Sequence, residues 1–274
     1  MLGQLDLPLA QRWRIRRDSY RPAAEPIDPR RYGVEVVRRC EARAFVERHH
    51  YLGSYPAARC AVALFRARPF NAAELVGVAV FSVPTNPASI RKHTGVEAAA
   101  GVELGRFILL DDVPGNGETW FLARAFRALR AEKPEVRAVL SYSDPVPRLT
   151  AAGDVVKPGH IGVIYQAHNG RYVGRGGART IFLDARGLVV SGRALSKLRC
   201  DTRGRAYAEK VLLEAGAPAR REGEDGRAYV RRALAEGPFR AVWHPGNHAY
   251  VWPLDRAAAA AAAPALPYPK GVAA

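Results

Sequence analysis

Residues 102–110 gather apolar, β-favouring side chains and run into Asp-Asp, Pro, Gly, Asn and Gly at 111–117. That pattern predicts a buried strand entering a tight turn. Phe121, Leu122, Ala125, Phe126 and Leu129 then recur at helical spacing, with Arg124, Arg127 and Arg130 off the stripe, which predicts an amphipathic helix. Pro134 stops it, and 136–142 reads as the next strand. Upstream, 33–39 alternates as a first strand, 41–50 has helical spacing through Ala44, Phe45 and Val46, and 59–65 and 74–83 read as a hairpin across Pro69 and Asn71. Residues 84–101 are a loop-rich connection. Downstream come a short helix holding Tyr165 and ending at Asn169-Gly170, short strands at 180–184 and 188–190, helices at 203–215 and 226–236, and late strands at 241–243 and 249–254. The alternation predicts an α/β fold with a mainly helical C-terminal extension.

Three segments follow from composition. Residues 1–32 mix Arg, Pro and isolated apolar side chains without a period and form a basic extension; 33–255 carry the patterned domain, including a helical insertion at about 193–236; 256–274 form an Ala/Pro-rich tail expected to be disordered beyond a short helix. The 274-residue chain carries 42 Lys and Arg against 26 Asp and Glu, a net charge of +16, which favours a polyanionic partner, nucleic acid first. The excess is densest at 171–210, with ten basic and three acidic residues. Cys40, Cys60 and Cys200 are too far apart and too few for a disulfide framework or a zinc knuckle, and are expected to be small buried thiols. The lack of a leader or long apolar span predicts a soluble cytoplasmic protein with no membrane contact.

Candidate chemistry sits at element ends. A strand-turn-helix unit offers free N–H groups to an anion at the helix start; Gly115 and Gly117 allow close approach, and Asn116 and Thr119 add side-chain donors, although an ordinary capped turn uses the same residues. His50 and Tyr51 place a base or metal ligand beside a phenol, or His50 simply caps its helix. Asp144 follows a buried strand, where open α/β sheets place ligands, though Asp before Pro145 also suits a turn. With His160, His50 and Asp144 would make a two-histidine, one-carboxylate set suited to ferrous iron. No P-loop, dinucleotide fingerprint or Gly-x-Ser-x-Gly elbow is present, which disfavours nucleotide hydrolysis, NAD chemistry and an α/β-hydrolase.

The element order is similar to the GNAT acyltransferase fold, which implies a central mixed sheet flanked by helices. Five stretches resemble its Mom-like branch, the bacteriophage DNA-modification proteins: His50-Tyr51-x-Gly53-Ser54; Glu103-Leu104-x-Arg106; Pro114-x-Asn116 with Thr119-Trp120-Phe121-Leu122; Ser141-Tyr142-Ser143-Asp144-Pro145; and Gly159-His160-x-Gly162-x-Ile164-Tyr165-Gln166-Ala167-x-Asn169. The typical GNAT pyrophosphate loop is replaced by residues 112–119, an insertion occupies 146–158, and Gly170 stands where an aromatic commonly follows Asn.

The resemblance implies a GNAT-like enzyme converting adenine to N6-carbamoylmethyladenine in phage DNA, which would block restriction endonucleases that read the major-groove edge. It implies His50, Tyr51, Asp144 and Tyr165 as catalytic residues; Arg106, Asn116, Gly117 and Thr119 facing the phosphates of acetyl-CoA or a related acyl donor; and an iron role for His50, Asp144 and His160. Double-stranded DNA would be the partner, with Arg171, Arg175, Arg179 and Arg193 on its phosphates. The setting would be a bacterial host cytoplasm. Two other readings fit the same chain: a GNAT-fold acetyltransferase acting on a small-molecule, protein or tRNA amine, and an inert DNA-binding protein of that fold.

Overall fold

A computed structural model describes residues 9–14, 17–22, 26–50 and 53–270. The chain divides into two compact units: the first holds residues 1–145, 160–175 and 247–274, the second 146–159 and 176–246.

In the first unit, β1 (Leu9–Arg14) and β2 (Arg17–Pro22) pair as an antiparallel ribbon. Then come β3 (Tyr32–Val36), α1 (Arg39–His49), β4 (Ala58–Arg68), β5 (Asn71–Ser82), α2 (Ala88–Thr94), β6 (Gly101–Leu109), α3 (Gly117–Glu132) and β7 (Ala138–Ser143). The second unit starts with the ribbon β8 (Arg148–Leu149) and β9 (Val155–Lys157). The chain returns to the first unit for α4 (Val163–Ala167) and β10 (Arg171–Arg175). It then completes the second with β11 (Arg179–Leu183), α5 (Gly192–Arg199), α6 (Arg205–Glu214), α7 (Gly226–Glu236) and β12 (Arg240–His244). β13 (His248–Pro253) and α8 (Arg256–Ala261) close the first.

Seven strands form the main sheet in the order β10-β13-β7-β6-β5-β4-β3. Every neighbouring pair is antiparallel except β6 and β7. This is the mixed sheet expected from the sequence, with α3 as the crossover of the parallel pair. One face carries the largest core cluster, where Val62, Phe81, Leu104, Val139, Tyr250 and Trp252 meet Phe121, Leu122, Ala125, Phe126 and Leu129 of α3. Those five are the helical stripe read from sequence; Phe121 and Leu122 are fully buried, worth about 1.5–3 kcal/mol each relative to exposure. The opposite face packs Ala42, Phe45 and Val46 of α1 on Ala61, Val78, Val80 and Ile108, and Ile90 of α2 and Ala258 of α8 on Leu140, Ala249 and Val251.

Three elements differ from the sequence expectation. The 84–101 connection contains α2, whose about two turns bury only Ile90, His93 and Thr94, too few positions for a period to show. β10 is short and interrupted by Gly174, and 188–190 supplies only an isolated bridge from Val189 to Leu183. Cys40 and Cys200 are exposed, and only Cys60 is buried, which pushes its thiol up to about 11. The Ala-rich segment forms the short helix allowed for it, α8: the Asp255 carboxylate accepts from Ala258 N–H at 2.7 Å and pairs with Arg137 at 2.8 Å. Beyond it, Leu266 N–H donates to the Tyr172 carbonyl at 2.8 Å, which covers the edge strand β10.

The second unit has its own core, Leu195, Leu198, Ala208, Leu212, Tyr229 and Val230 from α5, α6 and α7. The 146–159 insertion belongs to it: Ala151 N–H donates to the Ala185 carbonyl at 2.8 Å and Arg240 Nη2 to Leu149 O at 2.9 Å. Two insertions distant in sequence therefore build one body. Among the described residues no helix is long and apolar enough to cross a membrane.

Candidate active site

The parallel strands β6 and β7 are in register only from Gly101–Ala138 to Glu103–Leu140. Beyond that point they diverge, because β6 stays on β5 through Leu109–Gly77 while β7 follows β13 through Ser143–His248. Ser141 Oγ spans the start of the gap, donating to Leu104 O at 3.1 Å. A bulge at Gly105 leaves Arg106 opposite Val80, on the α1 and α2 face; a Cβ at Gly105 would lie 2.5 Å from Ser82 Oγ.

On that face Arg106 is fixed by three acceptors: Nε to Ser54 O at 3.1 Å, Nη2 to Ser54 Oγ at 3.0 Å and Nη1 to Gly105 O at 2.6 Å. His50, the C-cap of α1, donates its N–H to Val46 O at 2.9 Å. Burial, then the Arg106 cation, push His50 down to about 3, so its ring is neutral at pH 7. Glu103 lies on the same face, opposite Ser82, and burial raises its carboxyl while Arg106 partly restores the anion. Tyr142 hydrogen-bonds Ser89 and feels Glu103; burial, the larger cause, raises its phenol. The His93 ring meets Tyr142 edge-on at 6.2 Å, and burial keeps that imidazole below its ordinary value. Asp144 follows β7 and is buried, its carbonyl accepting from His160 N–H at 2.9 Å.

Tyr165 lies on the other face. Its ring is 5.5 Å from those of Tyr250 and Trp252. Gly162, at φ 81°, caps α4, and a Cβ there would lie 2.8 Å from Tyr250, 2.9 Å from Tyr165 and 3.1 Å from Ser143 Oγ. Tyr250 donates its hydroxyl to Ile161 O and accepts from Gln166 Nε2 at 3.0 Å. The unusual Gly170 has a packing reason: a Cβ there would lie 2.7 Å from the Trp252 ring and 2.8 Å from Tyr165 O.

The sequence-derived set is therefore divided. His50 and Arg106 share the α1 and α2 face, Tyr165 occupies the α3 and α4 face, and the β6–β7 gap lies between those strands' free ends. Tyr51 falls outside the described residues. Among the described residues no group of three or more His, Cys, Asp or Glu is placed to hold a metal ion, so His50, Asp144 and His160 do not fit an iron centre. His50 sits instead beside a cation, and His160 is exposed.

At the start of α3, several groups of the anion site expected from the sequence are engaged within the protein. Asn116 Oδ1 accepts from Ile27 N–H at 2.7 Å, Gly117 N–H is spent on Pro114 O at 2.8 Å, and Thr119 Oγ1 donates to Asn116 O at 3.2 Å. Asp111, Asp112 and Glu118 add carboxylates to the same turn and first helical residues. Glu103 and Tyr142 lie within the motif stretches without a role assigned from sequence; period-2 alternation, which puts both on the Arg106 face, is the signal that points to them.

Arg171 Nη1 donates to Ala259 O at 3.1 Å and Arg175 Nη2 meets His248 Nε2 at 3.3 Å in the first unit, whereas Arg179 on β11 and Arg193 on α5 are exposed in the second. Trp243 on β12, opposite Thr180, is 67% exposed, an unusual state for its apolar area.

Residues 31–270 match the Mom protein family. The methylcarbamoylase Mom of Escherichia phage Mu is 28% identical over 142 residues, 52% of this chain and 53% of that protein, so the similarity spans about half of each. Among solved structures, a tandem GNAT protein from the clavulanic acid biosynthesis pathway, without AcCoA, covers 82% of this chain and 99% of its own, with a TM-score of 0.41 and 9% identity.

Proposed function

The chain belongs to the Mom protein family, and from that premise we propose that it is a transferase adding a carbamoylmethyl group to N6 of adenine in phage DNA. The observation that carries this reading is the β6–β7 gap, with ionisable groups held on one face and a buried tyrosine cluster on the other. The adenine amine is a poor nucleophile, and its bond to a new carbon must be accompanied by loss of an N6 proton. A base works best with a pKa near the operating pH. Glu103, raised by burial, suits that task better than His50 at about 3. Neutral His50 is then a hydrogen-bonding group and Arg106 a fixed cation for developing negative charge. Tyr165, on the opposite face, is assigned to give its phenolic proton to the group that departs from the donor carbon as the N6–C bond forms. Asp144, buried at the end of β7, keeps the catalytic role that the family implies.

An acetyl-CoA-type donor is the family expectation, with Arg106, Asn116, Gly117 and Thr119 as the residues that would face its phosphates; Asp111 and Glu118 beside them would repel its pyrophosphate, whereas Asp112 is paired with Arg66. A paired adenine must leave the stack before its N6 is reached, at a cost of a few kcal/mol. Exposed Arg179 and Arg193 supply phosphate contacts that offset this cost, and Trp243 offers a flat face of the kind on which bases stack. Modification at N6 alters the major-groove donor pattern of adenine and so protects DNA from endonucleases that read it.

Nucleoside mass spectrometry of DNA from cells expressing the protein tests the reading. A carbamoylmethyl-adenosine species is expected, with plasmid resistance to endonucleases whose sites contain adenine. Unaltered DNA alongside acetylation of another amine would replace this reading with the acetyltransferase, and DNA binding with neither product would leave only a binding protein.

A further inference from the structure

Ser141 and Ser143 point to the same face of β7 and both are fully buried, yet their hydroxyls differ. Ser141 Oγ donates to Leu104 O. Among the described residues Ser143 Oγ has no hydrogen-bond partner. A buried hydroxyl without a partner forfeits its water hydrogen bonds for nothing, so it is rare and calls for a reason. Ser143 lies three residues beyond the last registered β6–β7 pair, on the strand that borders the gap.

Its surroundings define what would complete it. Ser143 Oγ, Tyr250 and Tyr165 all border the Cα of Gly162: a Cβ there would lie 3.1, 2.8 and 2.9 Å from them. The Tyr250 hydroxyl is already engaged by Ile161 O and Gln166, and these walls are aromatic and uncharged. An ionised group brought here would lose its hydration without a counter-charge. A neutral carbonyl that accepts from Ser143 Oγ would lose little.

We propose that Ser143 is a substrate-binding residue whose hydroxyl donates to the neutral carbonyl of the group being transferred, the carboxamide oxygen on the DNA-modification reading, on which this inference rests. Its neighbour Ser141 is structural. The two serines should then respond to alanine in opposite ways.

The test uses the full chain, with thermal unfolding of purified protein and the modified-adenine yield in DNA from cells making matched soluble amounts. Ser143→Ala is expected to keep the Tm or raise it by about 2 °C, because an unsatisfied hydroxyl is removed. Its yield is expected to fall about tenfold, since a hydrogen bond to substrate is lost. Ser141→Ala is expected to lower the Tm, with yield following the amount of folded protein. A fall in Tm for Ser143→Ala would show the hydroxyl to be satisfied in the folded protein, and an unchanged yield would show that substrate does not use it; either overturns the proposal. If wild type makes no modified adenine, the functional reading fails separately. Acetamide, a neutral amide probe, then decides the site alone: a Tm rise in wild type that Ser143→Ala lacks supports it, and equal responses reject it.

Discussion

The two faces of the main sheet meet the β6–β7 gap with different chemistry. The α1 and α2 face offers charge and titration: Arg106 held by three acceptors, His50 kept neutral, and Glu103 raised by burial. The α3 and α4 face offers packed rings, Tyr165 against Tyr250 and Trp252, with Phe126 5.4 Å from Trp252. The contrast indicates a division of labour. Groups whose charge changes during reaction need fixed ions and dipoles, whereas a neutral group is best held by shape and single hydrogen bonds.

The largest expected effect comes from removing the cation. Arg106→Met should cut modification on the order of 100-fold and, with the repulsive cation gone, raise the pKa of His50, which NMR titration would detect. Tyr165→Phe should cost less, about tenfold, and should leave the His50 titration unchanged because the ring lies on the other face. A shift of His50 in that variant would break the distinction between the faces. Filling the tight turn with Gly162→Ala should destabilise by about 1–3 kcal/mol through overpacking and a strained φ, measured by denaturant unfolding.

A smaller effect appears with pH. The folded His50 value of about 3 lies below its unfolded value near 6.5, so the unfolded chain binds the proton first as pH falls. His50 therefore contributes stability that is complete above about pH 6.5 and is lost towards pH 3, with a slope of up to about 1.4 kcal/mol per pH unit. His50→Gln should flatten the acid limb of the stability profile by that share; an identical limb would mean an exposed, ordinary imidazole.

Much of the frame was legible in the sequence. The α3 stripe from Phe121 to Leu129 and the α1 stripe at Phe45 and Val46 were visible because a helical period reports a buried face directly. The β4–β5 hairpin and the strands either side of α3 followed from apolar runs between turn residues. What escaped was whatever depends on contacts between distant segments. Nothing local to Asn116 reveals that its side chain holds Ile27, and nothing local to His50 reveals a neighbouring Arg106. Tyr165 could be placed on a short helix, but its face is set by Tyr250 and Trp252, over eighty positions on. The joining of 146–159 to 176–246 in one unit was hidden for the same reason.

The most direct measurement is the quantity of modified adenine in DNA from cells expressing wild type, Arg106→Met, Tyr165→Phe and the double variant at equal soluble levels. One reaction served from both faces gives a clear product in wild type, strong loss in each single variant, and a double variant little worse than Arg106→Met alone. No product from abundant folded wild type, or full product when both side chains are gone, would contradict it.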